Sequence, residues 1–310
     1  MGTVLNLWAS PARWRGYAAA LLVLGQLGLV LAQAADELSV TVAPGDTLIS
    51  ISQRFLQEPK RWPELKRYNR VPQDRRLQPG SRLRIPLDWV RWSELSADVV
   101  FVQGVVLAAG RPLAEGMQLK AGDSFDTGAS GSLTLRLSDG ATVVFPPNTQ
   151  AGLGVSREVP GTPVRATTIN LQKGSADSTV VPLKDPASSF HIRTPRVVTA
   201  VRGTRFRVAA EGESSRHEVL TGVVAVAEAS QPTGAPGSAV LNEAQGLRAE
   251  GGRLGTVVTL LPAASVSGLP QRIERIAQSL TLAPLAGAQA WRWQVATDAA
   301  FTRLLQDERT

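Results

Sequence analysis

The stretch Ser132-Leu133-Thr134-Leu135-Arg136-Leu137-Ser138-Asp139-Gly140-Ala141-Thr142-Val143-Val144-Phe145 has leucine at every second place, then Asp-Gly, then a β-branched and aromatic run. A period of two on both sides of a turn dipeptide predicts an antiparallel hairpin, because successive strand side chains point to opposite faces. Asp139-Gly140 tolerates the positive φ that tight hairpin turns require. Outward from this hairpin, alternating runs broken by Gly, Asp-Gly and Pro extend from Asp98 to about Leu254. Thr204–Ala209 and His217–Val226 form a second such pair, joined by the polar Glu211–Arg216. The predicted fold class is mainly β and multi-domain.

Composition agrees with that expectation. The 310 residues are enough for two or three domains, and 43% hydrophobic with 19% charged is the profile of a folded chain. The 28 glycines and 20 prolines call for many turns. The absence of cysteine excludes disulfides, thiolate zinc sites and cysteine nucleophiles. His191 and His217 are the two histidines, so no metal site and no cofactor is expected.

Residues 1–34 read as a signal peptide. Arg13 and Arg15 precede an apolar run from Ala18 to Leu31, and Ala32-Gln33-Ala34 supplies a small-x-small cleavage pattern before Asp36 and Glu37. Cleavage falls after Ala34 or Ala35, with an uncleaved anchor as the alternative. Export to the periplasm or cell envelope follows, with no stable membrane span after cleavage. An exported chain rarely meets nucleic acid, so none is expected as a partner. The net charge of +7 is local: Lys60, Arg61, Lys66, Arg67, Arg70, Arg75, Arg76, Arg82 and Arg84 face only Glu64 and Asp74 in that span. Such a face attracts anionic polymers at short range.

The segment 37–90 mixes strand and helix patterns. Val40-Thr41-Val42 alternates as a strand, and Pro44-Gly45-Asp46-Thr47-Leu48 turns the chain, with Asp46 placed to cap the helix that follows. Leu48, Ile51 and Phe55 make one buried helical stripe; Trp62, Leu65 and Tyr68 make a second, with Pro63 in its first turn. Asn69 closes that helix, and Gln78-Pro79-Gly80 turns into Leu83-Arg84-Ile85-Pro86.

Gly45-Asp46-Thr47-Leu48, Asn69, Pro79-Gly80 and Leu83-Arg84-Ile85-Pro86 fall in the order of the LysM domain, which this run resembles over about 50 residues. The resemblance implies a βααβ unit that binds N-acetylglucosamine-containing glycan, such as peptidoglycan, in a shallow groove between two loops. Carried over by position, the glycan-binding residues are Gly45, Asp46, Thr47, Leu48, Gln78, Pro79 and Gly80. Asp46 and Thr47 serve equally well as helix caps, and Leu48 as core.

Segment 98–254 resembles a FecR-type domain through Gly104-Val105-Val106, Leu119-Lys120-Ala121-Gly122-Asp123, Ser138-Asp139-Gly140, Pro146-Pro147, Val201-Arg202-Gly203-Thr204-Arg205-Phe206 and Leu220-Thr221-Gly222-Val223-Val224. The resemblance implies an all-β periplasmic module of the kind found in sigma-factor regulators. Such regulators carry a cytoplasmic region ahead of their span, whereas about 17 residues precede the apolar run here. A binding or relay module outside the cytoplasm remains. From 262 to 310, Leu280-Thr281-Leu282, Trp291–Ala296 and Asp298–Leu305 resemble the opening strands of a fibronectin type III-like sandwich, with an extension of the middle domain as the alternative.

Two fragments imitate catalytic motifs. Asp126-Thr127-Gly128 spells an aspartic-protease loop but has no second copy to complete a dyad. Gly122-Asp123-Ser124 imitates a hydrolase block, yet Ser188 and Ser214, not aspartates, stand three residues before His191 and His217, so the hydroxyl has no base. No catalytic residue is assigned. The expected function is a non-enzymatic envelope protein binding peptidoglycan or a related polymer. The alternative is a signalling module acting through its FecR-type domain on an envelope protein partner.

Overall fold

The computed structural model describes residues 37–72, 77–231, 237–265 and 284–310. The expected signal segment, the strand at 280–282 and most of the loop at 232–237 lie outside them.

The first module is β1 (Glu37–Thr41), α1 (Leu48–Phe55), α2 (Trp62–Tyr68) and β2 (Arg82–Pro86), the expected βααβ order. β1 and β2 pair antiparallel from Glu37↔Pro86 to Thr41↔Arg82. Leu48, Ile51 and Phe55 are buried as the spacing of α1 predicts, against Leu38, Val40, Leu83 and Ile85. The second stripe is not buried as expected. Only Leu65 of α2 enters the core, while Tyr68 is 38% exposed. α2 is only seven residues long, about two turns, and Tyr68 turns instead to the Trp89 ring and the Glu37 carboxylate.

The helix cap also differs from expectation. Thr47, not Asp46, is the N-cap: its hydroxyl accepts from Ser50 N at 3.0 Å, and Ser50 Oγ accepts from Thr47 N at 2.9 Å. This reciprocal box satisfies two amides that the first helical turn leaves without partners. At the other end of α1, the Arg91 guanidinium donates to Gln53 O and Arg54 O, placing a cation at the negative helix terminus.

The chain then enters a large β domain. Its strands are β3 (Ser93–Glu94), β4 (Ala97–Gln103), β5 (Leu107–Ala108), β6 (Arg111–Pro112), β7 (Gln118–Leu119), β8 (Ser124–Asp126), β9 (Ser132–Arg136) and β10 (Thr142–Phe145). There follow β11 (Gln150–Glu158), β12 (Arg165–Thr179), β13 (Ser189–Arg193), β14 (Val197–Val201), β15 (Arg205–Glu211) and β16 (Ser214–Thr221). β17 (Val223–Glu228), β18 (Ala239–Asn242), β19 (Gln245–Glu250), β20 (Arg253–Leu254) and β21 (Val258–Thr259) complete it, and β22 (Arg292–Ala296) pairs with β23 (Leu304–Arg309) as a separate hairpin.

β12 organises this domain. Its first part pairs with β11 and, in parallel, with β13; from Gly174 onward it pairs with β15 and β10. One strand thus belongs to two sheets, and the pairings close into a barrel around a single core containing Leu133, Leu135, Phe145, Ile169, Phe190 and Phe206. At the handover Gly174 has φ +87°, and a Cβ there would lie 2.4 Å from Thr149 Oγ1 and 2.6 Å from Asn148 O.

The predicted β9–β10 hairpin forms in the register Thr142↔Arg136 to Phe145↔Leu133. Its turn differs from the predicted tight pair: Gly140 N donates to Leu137 O and Leu137 N to Ala141 O, and of Asp139-Gly140 only Gly140 has positive φ. The Asp139 carboxylate instead accepts from Ala141 N at 2.9 Å. The expected strand His217–Val226 is two strands. It breaks at Gly222 (φ +89°), after which β17 leaves the sheet of β16 to pair with β14.

The small module and the β domain share apolar packing. Val159, Val164 and Ala187 join the core of the first module, and Arg157 lies 4.3 Å over the Trp92 ring. Leu95 N donates to Ser156 O, and β3 pairs with β11. No helix among the described residues is long and apolar enough to cross a membrane.

Candidate functional site

Two glycine-bearing loops of the first module lie side by side. Val42 N donates to Ser81 O at 2.9 Å, and Gly80 N donates to Val42 O at 2.8 Å, so the loop after β1 is laced to the loop before β2. In the first loop, Asp46 N donates to Ala43 O and the Asp46 carboxylate accepts from Ala43 N at 2.9 Å. Gly45, at φ +87°, reverses the chain within that turn. In the second, Ser81 N and Ser81 Oγ both donate to Gln78 O, and Gly80 has φ +84°. Positive φ at both glycines is what a side chain would make costly.

The structure distributes the seven expected contact residues unequally. Gly45, Gln78, Pro79 and Gly80 are exposed, Asp46 and Thr47 are half-buried, and Leu48 is fully buried. The Leu48 side chain therefore belongs to the core, and the Thr47 hydroxyl to the helix cap. Asp46 is engaged by Ala43 N and by Arg54 Nη2 at 2.6 Å. The Ala43 amide foremost holds the Asp46 carboxyl below the usual range; burial opposes this, and Arg54 adds to the lowering. Arg54 is itself about half exposed, so the pair adds little to stability.

One candidate was missed. Ile49 is 50% exposed and directly follows the first loop. The signal was present: Ile49 falls off the Leu48–Ile51–Phe55 stripe, so helical geometry turns it outward. An exposed branched apolar side chain beside glycine-bearing loops can take a sugar face while nearby peptide groups meet acetamido groups.

A second feature lies on the sheet side of α2. Arg61 packs 4.3 Å over the Trp89 ring, Trp89 meets Tyr68 at 5.7 Å between centroids, and Arg84 sits 5.7 Å over Tyr68. The Tyr68 hydroxyl donates to the Glu37 carboxylate, which also pairs with Arg84.

The catalytic look-alikes are occupied structurally. Asp126 Oδ1 accepts from Gly128 N at 2.7 Å and Oδ2 from Gln150 Nε2 at 2.8 Å, and the Gly128 amide foremost holds its carboxyl below the usual range. His217 is buried on β16, its ring nitrogens 2.7 Å from Thr199 Oγ1 and 2.9 Å from Ser215 Oγ. Burial pushes its pKa down to about 4. His191 is half-buried on β13 between the buried Phe190 and Ile192. Among the described residues no group of three or more His, Cys, Asp or Glu could hold a metal ion.

The family model for the LysM domain matches residues 40–86, the part that holds both laced loops, and the model for the FecR protein matches residues 123–225. The chain is a LysM- and FecR-domain protein. Both are binding and regulatory modules rather than catalytic ones. Two crystal structures, at 1.65 and 2.50 Å, of a "putative anti-sigma factor" from Parabacteroides distasonis ATCC 8503 are similar to 44% of this LysM- and FecR-domain chain at 18% identity and a TM-score of 0.35. The chain spans 59% of the length of those proteins. No curated protein matches it.

Proposed function

We propose that this protein is a non-enzymatic component of the cell envelope that binds N-acetylglucosamine-containing glycan, peptidoglycan above all, on its paired LysM loops. The observation that carries the reading is the lacing of Val42 to Gly80 and Ser81, which sets two exposed glycine turns side by side, the first of them leading directly into the exposed Ile49. Gly45, Gln78, Pro79 and Gly80 supply peptide groups and surface to the sugar, while Asp46, Thr47 and Leu48 hold the first loop in shape. In this reading 37–90 is the binding module, 98–254 the FecR-type body and 262–310 an appended β segment, exported behind the signal peptide at 1–34. The test is retention of the full chain on insoluble peptidoglycan in low-salt buffer, competed by chito-oligosaccharide. Absence of retention ends the proposal.

A second reading makes the FecR-type body a relay to a protein partner in the envelope. It is favoured by the core shared between the modules, where Val159, Val164 and Ala187 belong to the same buried cluster as Leu48 and Phe55. A module fixed in this way can pass its orientation to the β domain. Crosslinking that recovers a protein partner whose yield changes with added chito-oligosaccharide supports the relay; recovery of glycan alone opposes it.

A further inference from the structure

The outer face of α2 carries basic surface that the paired loops do not use. Trp62 and Lys66 lie one helical turn apart on α2, with Pro63 and Arg67 beside them, and Arg70 stands in the turn that ends the helix. Together with Val71 they line a shallow, open depression. We propose that this depression binds a phosphate-bearing polysaccharide, as a second glycan site on the same module. The choice of a polysaccharide rests on the reading of the module as a glycan binder; the site itself rests on three observations.

Two of the cations that line the depression, Arg67 and Arg70, lack a close carboxylate among the described residues. Glu64 is drawn to Arg61, which holds it through Nε at 3.0 Å and Nη2 at 2.6 Å, while Arg61 itself lies over Trp89. Among the described residues no carboxylate lies within ion-pair distance of Arg67 or Arg70. Guanidinium groups bind phosphate oxygens bidentately, which suits such a pair to phosphate.

Arg70 is also held in a costly backbone conformation. Val71 N donates to Lys66 O and Arg70 N to Arg67 O, the two bonds of a helix-ending Schellman turn, and Arg70 has φ +52°. Glycine is the usual occupant of that position because side chains disfavour the left-handed region. An arginine kept there puts a cation at the rim of the depression at a conformational cost.

The third observation is Trp62. Its half-buried indole offers a flat apolar surface among the cations. A single ring stacks one sugar or one base. Nucleic-acid channels repeat such platforms along the strand, and this depression holds one aromatic side chain.

The experiment uses the full chain and four probes: phosphate-substituted dextran, unmodified dextran, chito-oligosaccharide, and single-stranded DNA matched in charge to the first. The variant is R67Q/R70G, in which glycine takes the backbone conformation it prefers, so thermal unfolding should match wild type. Expected is binding of dextran phosphate but not dextran at low salt. The double variant should weaken it at least tenfold and reduce the slope of log affinity against log salt by about one to two. Chito-oligosaccharide binding should be unchanged in the variant. Failure of wild type to bind dextran phosphate, unchanged affinity in the variant, or tighter binding of DNA would each overturn the proposal. Loss of the chito-oligosaccharide signal in wild type alone would count against the paired-loop site and leave this one standing.

Discussion

The side-chain amide of Asn69 binds both polar groups of the Arg84 backbone: Nδ2 donates to Arg84 O at 2.8 Å, and Oδ1 accepts from Arg84 N at 2.8 Å. Arg84 lies on β2, paired to Ser39 of β1 on its other side. Asn69 therefore acts as a one-residue strand added to the sheet edge, tying the end of α2 to β2. Nδ2 also donates to Leu65 O, so the same group caps the helix.

The first prediction follows from that clasp. Asn69→Ala removes three hydrogen bonds at a partly exposed site, at about 1 kcal/mol each or less. The LysM module should lose about 1–3 kcal/mol, read as reduced amide protection in residues 37–90. Asn69→Asp should cost at least as much, since a carboxylate cannot donate to Arg84 O. Retained protection in both variants would show that β2 is held by β1 alone.

Much of this module is legible in the sequence because its determinants are local. The stripe Leu48–Ile51–Phe55 and the glycine turns need only neighbouring residues to be read. Asn69 reads as a helix terminator, but its partner Arg84 lies fifteen residues away and uses only backbone, which no residue pattern reports. Asp46 and Thr47 are both good capping residues, and the choice depends on which residue enters the helix first. In the β domain, the break at Gly222 is hidden because the runs on both sides alternate alike. What reserves the position for glycine is a positive φ and the approach of Thr204, whose Cγ2 would lie 2.6 Å from a Cβ there, and neither can be read from the local pattern.

Ile49 supplies the second prediction. Ile49→Asp leaves the core untouched, because the side chain points to solvent, and a first-turn carboxylate is favourable to the helix dipole. Stability should change by less than about 0.5 kcal/mol. Chito-oligosaccharide affinity should nonetheless fall about tenfold or more, about the value of one buried aliphatic contact. Unchanged affinity in a titration would remove Ile49 from the site.

At Gly174, φ and space act together. Gly174→Ala forces a methyl group against Thr149 and Asn148 in a backbone conformation that L-residues disfavour. A destabilisation of about 2–4 kcal/mol is expected from strain and overpacking. Because β12 joins both sheets there, urea unfolding of the β domain should remain one transition at a lower midpoint. Two separate transitions would mean that the sheets are not coupled through β12.

His217 makes stability depend on pH. Its pKa is about 4 folded and 6.5 as a free side chain, so between those values the unfolded chain binds the extra proton. Stability is full above 6.5 and falls as pH drops towards 4, by up to about 1.4 kcal/mol per unit and about 3 kcal/mol in all. His191, also lowered by burial and then by Arg193, acts in the same direction. In His217→Asn the slope between pH 4 and 6.5 should flatten to the smaller His191 contribution. An unaltered slope would place the titrating group elsewhere.

The C-terminal hairpin covers a strand face that alternation alone assigns to solvent. Ser132 Oγ donates to Leu304 O at 2.7 Å and Thr134 Oγ1 to Thr302 O at 2.6 Å, so the polar face of β9 is buried beneath β23. Asp177 of β12 anchors the other side, 3.1 Å from Arg292 and 3.6 Å from Arg207. Burial opposes its charge, but the two arginines more than offset that and lower its pKa. Asp177→Asn leaves Arg292 with Asp307 alone, and Thr134→Val removes one buried donor. Each should loosen the hairpin by about 1–2 kcal/mol, the ion pair being discounted for its partial exposure. Hydrogen exchange should then quicken across 292–309, while β9 and β10 keep their protection through Leu133, Leu135, Val143 and Phe145 in the core. If those strands exchange just as fast, the hairpin is part of the cooperative β domain; if only 292–309 responds, it is a separately folding strap held by polar contacts.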